Sequence, residues 1–186
     1  FINNDWLNEG NYTNEALASH FKYCSFYNAE SSESYPDGGA FTIYNYDNLL
    51  IEHCYFTENH AYNSGGAIYL NNSNIKINSC LFDTNTAQSY AGALYCSYCP
   101  APKIVRNMFT KNMSTEAGAI KFTGSNPVFV NNAVINNIAQ YAAGGVYYYQ
   151  SNGVANNNTF ANNSAEEGNA IYFYESSPVF RNTIIW

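Results

Sequence analysis

The chain has 186 residues, enough for one domain with a sizeable core. Charged residues are only 11% and the net charge is −7, so a nucleic-acid-binding surface is not expected. No apolar run approaches the ~20 residues of a membrane-spanning helix, and no basic amphipathic segment suggests a membrane surface. Tyr contributes 18 residues, and Asn, Thr, Ile and Phe recur throughout, a mixture of strand formers and turn formers. The class is all-β.

Phe1 opens inside a pattern that then repeats along the chain rather than in a basic stretch, so no signal peptide is expected within these residues. The pattern is an aromatic or apolar residue followed three positions later by Asn. It begins at Phe1, Phe26, Phe56, Phe82, Phe109, Val134, Phe160 and Ile185. The spacing is about 26 residues, with one longer interval that holds the insertion "SSESYPDGG". The Asn series keeps step through Asn4, Asn59, Asn85, Asn112, Asn137 and Asn163, with Ala29 the exception. A Gly series does the same at Gly39, Gly66, Gly92, Gly118 and Gly144, with Asn11 and Asn169 at its ends. Three series in phase at such a period predict stacked repeats, each unable to bury its apolar face alone.

Within a period the letters predict three short strands. After Gly66, Ala67-Ile68-Tyr69-Leu70 alternates with period two. Ile75 and Ile77 supply the second strand, and "SCLF" the third, carrying the rung aromatic. Three strands and ~26 residues per turn match a parallel β-helix of about seven coils, a rod about 34 Å long at ~4.8 Å per coil. Residues 1–186 form a single repeat domain, expected to be a segment of a longer chain.

Each recurring letter has a structural use in that fold. Gly39 and its equivalents are expected to need positive φ or close backbone approach, with Asn169 standing in as the next residue to tolerate that conformation. Asn59, Asn85, Asn112, Asn137 and Asn163 are expected to form an internal amide ladder. A further series, Cys24, Cys54, Cys80, Asn107, Asn132, Asn158 and Thr183, begins as thiol and turns to amide.

The pairing of G-G-A-[ILV] with F-x-x-N, complete in "GGAI" at 65–68 and "FTEN" at 56–59, resembles the repeat of the polymorphic outer-membrane protein (Pmp) family. "SNPVFVNNAVI" and "SSPVFRNTIIW" look like the wider right-handed parallel β-helix repeats of the pectin-lyase-like superfamily. The resemblance implies a right-handed β-helix and an extracellular or cell-surface adhesin. Its motifs mark scaffold and carry no catalytic residues.

Catalysis in such a fold would need acids that converge in the columns that stacking creates. No column places acids on adjacent coils: Asp83 lies between Thr57 and Thr110, Glu52 beside Asn78, and Glu116 between Tyr90 and Ala143. Only Glu166 and Glu167 adjoin, and alternation would point them apart. An enzyme acting on acidic polysaccharide is therefore the alternative rather than the expectation. His20, His53 and His60 have no triad partners at a suitable spacing and read as surface residues. Cys96-x-x-Cys99 is half of a zinc motif without its second half, so a core thiol or a local disulfide is expected rather than a metal. Cys24, Cys54 and Cys80 are expected to be mostly free and buried, since stacked parallel Cβ vectors disfavour a bridge. No cofactor is implied.

The remaining signal is a column expected to face outward: Tyr69, Tyr95, Lys121, Tyr147 and Tyr172, flanked by Tyr44, Tyr149 and Tyr174. An aromatic on nearly every coil could contact a surface glycan or protein of a host cell, or a second copy of the chain. The plainer reading is that Tyr suits a half-buried β-surface. Among the glycosylation sequons, Asn71 is the expected acceptor because it follows a strand, whereas Asn112 belongs to the internal ladder.

Overall fold

The computed structural model describes residues 2–3 and 19–186, so Phe1, Asn4 and Asn11 of the repeat lie outside the described residues. The alternating residues form short strands, and successive coils pair in parallel and in register. Ile68 pairs with Leu94, Leu94 with Ile120, and Ile120 with Val146. The result is a parallel β-solenoid of about six turns with a period near 26 residues and no helix among the described residues. The sequence counts seven periods, but most of the first falls outside the described residues.

Three seven-stranded sheets form the walls. The first contains Phe41–Tyr44, Ile68–Asn71, Leu94–Ser97, Ile120–Thr123, Val146–Tyr149 and Ile171–Tyr174. The second runs from Ser19–Lys22 through Lys76–Asn78 to Val179–Arg181. The third runs from Ser25–Tyr27 through Leu81–Asp83 to Ile184–Ile185. A fourth, shorter sheet is additional to the three strands expected: His60–Ala61, Thr86–Ala87, Met113–Glu116 and Ile138–Ala142. The insertion after Ser31 folds on itself through an antiparallel bridge between Ser32 and Tyr35.

Inside, like sits on like. Phe56 stacks on Phe82 at 4.8 Å and 5°, and Phe82 on Phe109 at 4.6 Å and 9°. All three rings are fully buried. The column of Ile43, Leu70, Cys96, Phe122 and Tyr148 lines the same core from the first sheet. In-register stacking makes each coil the floor of the next, so every inward side chain meets its equivalents above and below.

Three of the corners follow one rule. A residue in the left-handed region turns the chain, and the next residue turns its side chain inward to serve the backbone of neighbouring coils. Before the first Asn ladder the left-handed residues are Asn28, Glu58, Thr84, Lys111, Asn136 and Asn162, with φ from 51° to 58°. The ladder is as expected. Asn85 Nδ2 donates to Asn112 Oδ1 at 3.0 Å and to the Phe56 carbonyl at 2.9 Å, while its N–H donates to the same Oδ1 at 2.9 Å. Asn59, Asn112 and Asn137 repeat those bonds. Buried amides that would be costly if unpaired thus satisfy themselves and the bends.

At the second corner, Asn107 and Asn132 form the same pattern, and Cys54 and Cys80 hold the equivalent places as thiols. The third corner has a ladder that sequence analysis missed. The Cys99 N–H donates to Ser125 Oγ, the Ser125 N–H to Ser151 Oγ, and the Ser151 N–H to Ser176 Oγ, each at 2.9 Å. Its sequence signal was a Ser at nearly every coil. It also accounts for Cys96-x-x-Cys99: Cys96 belongs to the apolar column and Cys99 to the hydroxyl column.

Of the two uses expected for the Gly series, close backbone approach holds and positive φ does not. Gly39, Gly66, Gly92, Gly118 and Gly144 have no positive φ; a Cβ on any of them would collide with the carbonyl oxygen of the coil above. The left-handed residue is the one before: Gly38, Gly65, Ala91, Ala117, Ala143 and Gly168. Asn169 therefore does not replace Gly for its φ. No described coil lies over Asn169, and its Oδ1 accepts the Ala165 N–H at 2.9 Å.

Candidate functional site: a tyrosine and glutamate groove

Outward residues of the first sheet meet the fourth sheet and the segment that continues it, so the two walls enclose a groove. One wall is the expected column of Tyr69, Tyr95, Lys121, Tyr147 and Tyr172, in register. The other is a column joined by bridges and pairs: Asp37, Ser64, Tyr90, Glu116, Ala142 and Glu167. Glu116 lies beside Ala142, not Ala143 as the spacing suggested. The strand Ile138–Ala142 has one residue more than its partner between the paired positions, which shifts the register after Ser114.

The Tyr column faces away from the core, but the second wall covers much of it. Lys121 is 6% exposed and Tyr147 8%, while Tyr69, Tyr95 and Tyr172 are half-buried. The free aromatic face expected from alternation is thus a lined groove, because the fourth sheet supplies a second wall. Of the flanking column, Tyr44 and Tyr149 are half-buried and Tyr174 is exposed. Tyr149 and Tyr174 stack at 5.1 Å and 4°, Tyr147 meets Tyr172 edge-on at 5.1 Å, and Tyr69 meets Tyr95 edge-on at 5.4 Å. Tyr44 and Tyr69 tilt together at 5.8 Å.

Midway along the groove sits an ion pair enclosed by rings. Lys121 Nζ lies 2.7 Å from Glu116 Oε2, 3.9 Å from the centre of the Tyr90 ring and 4.7 Å from that of Tyr147. Burial lowers the Lys121 pKa, and the Glu116 hydrogen bond opposes that shift. Burial, followed by the Glu116 charge, pushes the Tyr147 hydroxyl up to about 12. Burial likewise pushes Tyr69 to about 12.

Beyond this pair the groove opens into a cleft of about 310 Å³ lined by Glu116, Tyr141, Ala142, Tyr147, Glu166, Glu167 and Tyr172. Small Ala142 leaves the space, and the extra residue of its strand leaves Tyr141 exposed at the rim. The charge of Glu167, then a hydrogen bond to it, raises the Tyr172 pKa. Among the described residues no two acids pair on adjacent coils, yet Glu116 and Glu167 share a column two coils apart, about 10 Å at the backbone. Glu166 and Glu167 line the same cleft, whereas strand alternation would have parted them.

Other expected residues stay apart from the groove. His20 lies 3.3 Å from Glu52, and His53 stacks on Tyr23 at 5.1 Å. His60 is not a surface corner residue but is half-buried in the fourth sheet, with Nδ1 2.8 Å from Thr86 Oγ1. All five cysteines are free; four are buried and Cys24 is half-buried. Among the described residues, no three His, Cys, Asp or Glu side chains form a metal-holding group.

Asn71 is a poorer glycosylation acceptor than its position suggested. It is half-buried, and the Ser73 hydroxyl of its sequon is fully buried, accepting the Tyr46 N–H and donating to the Asn71 carbonyl. Asn112 is buried in its ladder as expected, while two other sequon residues, Asn157 and Asn162, are exposed; the sequon at Asn11 lies outside the described residues.

A family model for the right-handed β-helix region matches residues 7–184, nearly the whole chain. The chain belongs to that family. No curated protein and no solved structure matches it. The family match accords with the stacked corners and registers found here and extends across the repeat seen in the sequence.

Proposed function

We propose that this β-helix is a non-enzymatic, extracellular or cell-surface binding rod that acts as an adhesin or a unit of a surface assembly, with the Tyr–Glu cleft as its contact site. The observation that carries the reading is the cleft itself. The aromatic rings of exposed Tyr141 and half-buried Tyr172 stand beside the acceptors Glu166 and Glu167, over a floor that includes buried Tyr147. Rings that cover a sugar face, beside carboxylates that accept hydroxyl protons, suit a surface glycan. The Pmp-like G-G-A-[ILV] and F-x-x-N letters support the surface role. Self-assembly through the Tyr column has less support, because Lys121 and Tyr147 are already buried within the chain.

A glycan array tests this reading. The chain should retain a defined subset of glycans, and Tyr141→Ser should lose them without a change in thermal unfolding, since Tyr141 is 49% exposed. Absence of any glycan retained by the native chain, or equal retention by the variant, would refute it. A second reading, a polysaccharide-cleaving enzyme, draws support from Glu116, Glu166 and Glu167 sharing one cleft. Release of reducing ends from polygalacturonate, abolished by Glu167→Gln, would establish that reading instead.

A further inference from the structure

Asn152 and Gly153 form the one Asn-Gly pair in the sequence. They lie at the third corner, where Asn152 follows Ser151 of the hydroxyl ladder. Asn152 is exposed. Its Oδ1 accepts the Ser177 N–H at 2.7 Å, and its own N–H donates to the Ser125 carbonyl at 3.1 Å. The Gly153 carbonyl accepts the Val179 N–H at 2.9 Å, but the Gly153 N–H has no partner among the described residues. Gly153 has a φ of 109°, and a Cβ there would collide with the backbone of Pro127. The corner therefore requires Gly, and that Gly leaves its nitrogen unobstructed by a side chain.

We propose that Asn152–Gly153 is a self-modification site, at which Asn152 loses its side-chain amide through a cyclic imide. Hydroxide removes the Gly153 N–H proton, and the nitrogen pair attacks Asn152 Cγ. The Ser177 N–H stabilises the charge that develops on Oδ1, as a donor to an oxyanion does. The Cγ–Nδ2 bond then breaks and ammonia departs into solvent, taking up the proton. Water opens the imide at either carbonyl, giving aspartate or isoaspartate and a new negative charge.

The fold already shows that aspartate is tolerated at this corner. Asp47 follows Tyr46 as Asn152 follows Ser151, and Asp47 Oδ1 accepts the Asn74 N–H at 2.7 Å. The aspartate product keeps the bond from Ser177. Isoaspartate reroutes the main chain through the side-chain carbons and loses that bond. The ladder asparagines are the internal contrast: Asn85 is buried, with both Nδ2 protons and Oδ1 engaged.

The test is incubation of the folded chain in mildly alkaline buffer, followed by peptide mapping with mass spectrometry. A synthetic peptide of residues 148–157 serves as the unstructured control. The proposal expects the amide-to-acid mass gain at Asn152 before any other asparagine, together with acceptance of methyl groups from an isoaspartyl methyltransferase. Asn152→Gln should remove both signals, and Asn152→Asp should fold with unchanged thermal stability. Conversion led by another asparagine, or confined to the free peptide while the folded chain stays intact, would overturn it.

Discussion

The second corner is built in two chemistries. In the lower coils Cys54 and Cys80 turn inward; in the upper coils Asn107 and Asn132 do so. The backbone task is the same in both, since each inward group must serve a carbonyl of the coil below. The amides do it at 3.0 and 2.9 Å, to Ile77 and Ile104, and also bind one another. The thiols reach Phe21 and Ile51 only at 3.6 Å, and the Cys54 N–H has Cys80 Sγ as its acceptor at 3.5 Å. The left-handed turn and the stacked coil thus fix the corner's path, while side-chain chemistry sets how firmly it is held.

The largest expected effect comes from breaking the amide half. Asn132→Ala leaves the Asn107 amide and the Ile104 carbonyl without their partners in a dry interior, and should cost about 3 kcal/mol. Cys54→Ala removes only weak bonds and a small apolar group, and should cost about 1–2 kcal/mol. Urea titration of both variants checks the difference. Equal losses would mean that the ladder contributes nothing beyond packing.

Alkali should separate the halves, because amides do not titrate. Burial pushes the Cys80 thiol from 9.0 to about 12. The unfolded chain then loses that proton before the folded chain does, so the stabilisation is complete below pH 9 and is lost as the pH rises toward 12. Tyr69, raised from 10.0 to about 12 in the coil of Cys80, adds to that loss, while Tyr147, raised equally in the upper coils, begins to act only above pH 10. Hydrogen exchange followed against pH should show protection around Cys80 falling ahead of that around Asn132. Uniform loss along the rod would contradict this.

Two gains sharpen the contrast. Cys80→Asn should extend the amide ladder by one coil, adding bonds to Asn107 Oδ1 and the Ile51 carbonyl, for about 1 kcal/mol. Thr84 is a β-branched residue at φ 57°, where Asn136 and Asn162 occupy the equivalent corner. Thr84→Asn should relieve that strain for about 0.5 kcal/mol, within the cost of a non-Gly left-handed residue. Thermal unfolding measures both.

Side chains with a strict period were legible in the sequence. Phe56, Phe82 and Phe109 announced their stack, and Asn59, Asn85 and Asn112 their ladder, because each coil solves the same problem with the same letter. The hydroxyl ladder was less visible, since Cys99 interrupts Ser73 and Ser125. The groove was misread for a different reason. Alternation says which face of a strand looks away from the core, and Tyr147 does look away. It does not say what else lies there, and the fourth sheet is written in dissimilar letters: His60, Thr86, Met113 and Ile138 share one column. The cleft depends on one extra residue between Ile138 and Gly144, which a repeat alignment treats as a small irregularity.

Exchange of side-chain amide protons, resolved by nuclear magnetic resonance, tests the stacked-ladder account most directly. The Nδ2 protons of Asn85, Asn112, Asn107 and Asn132 should exchange only on global unfolding, while those of exposed Asn152 exchange at once. Rapid exchange at the ladder positions, matching Asn152, would contradict an interior in which each coil's amides hold the next.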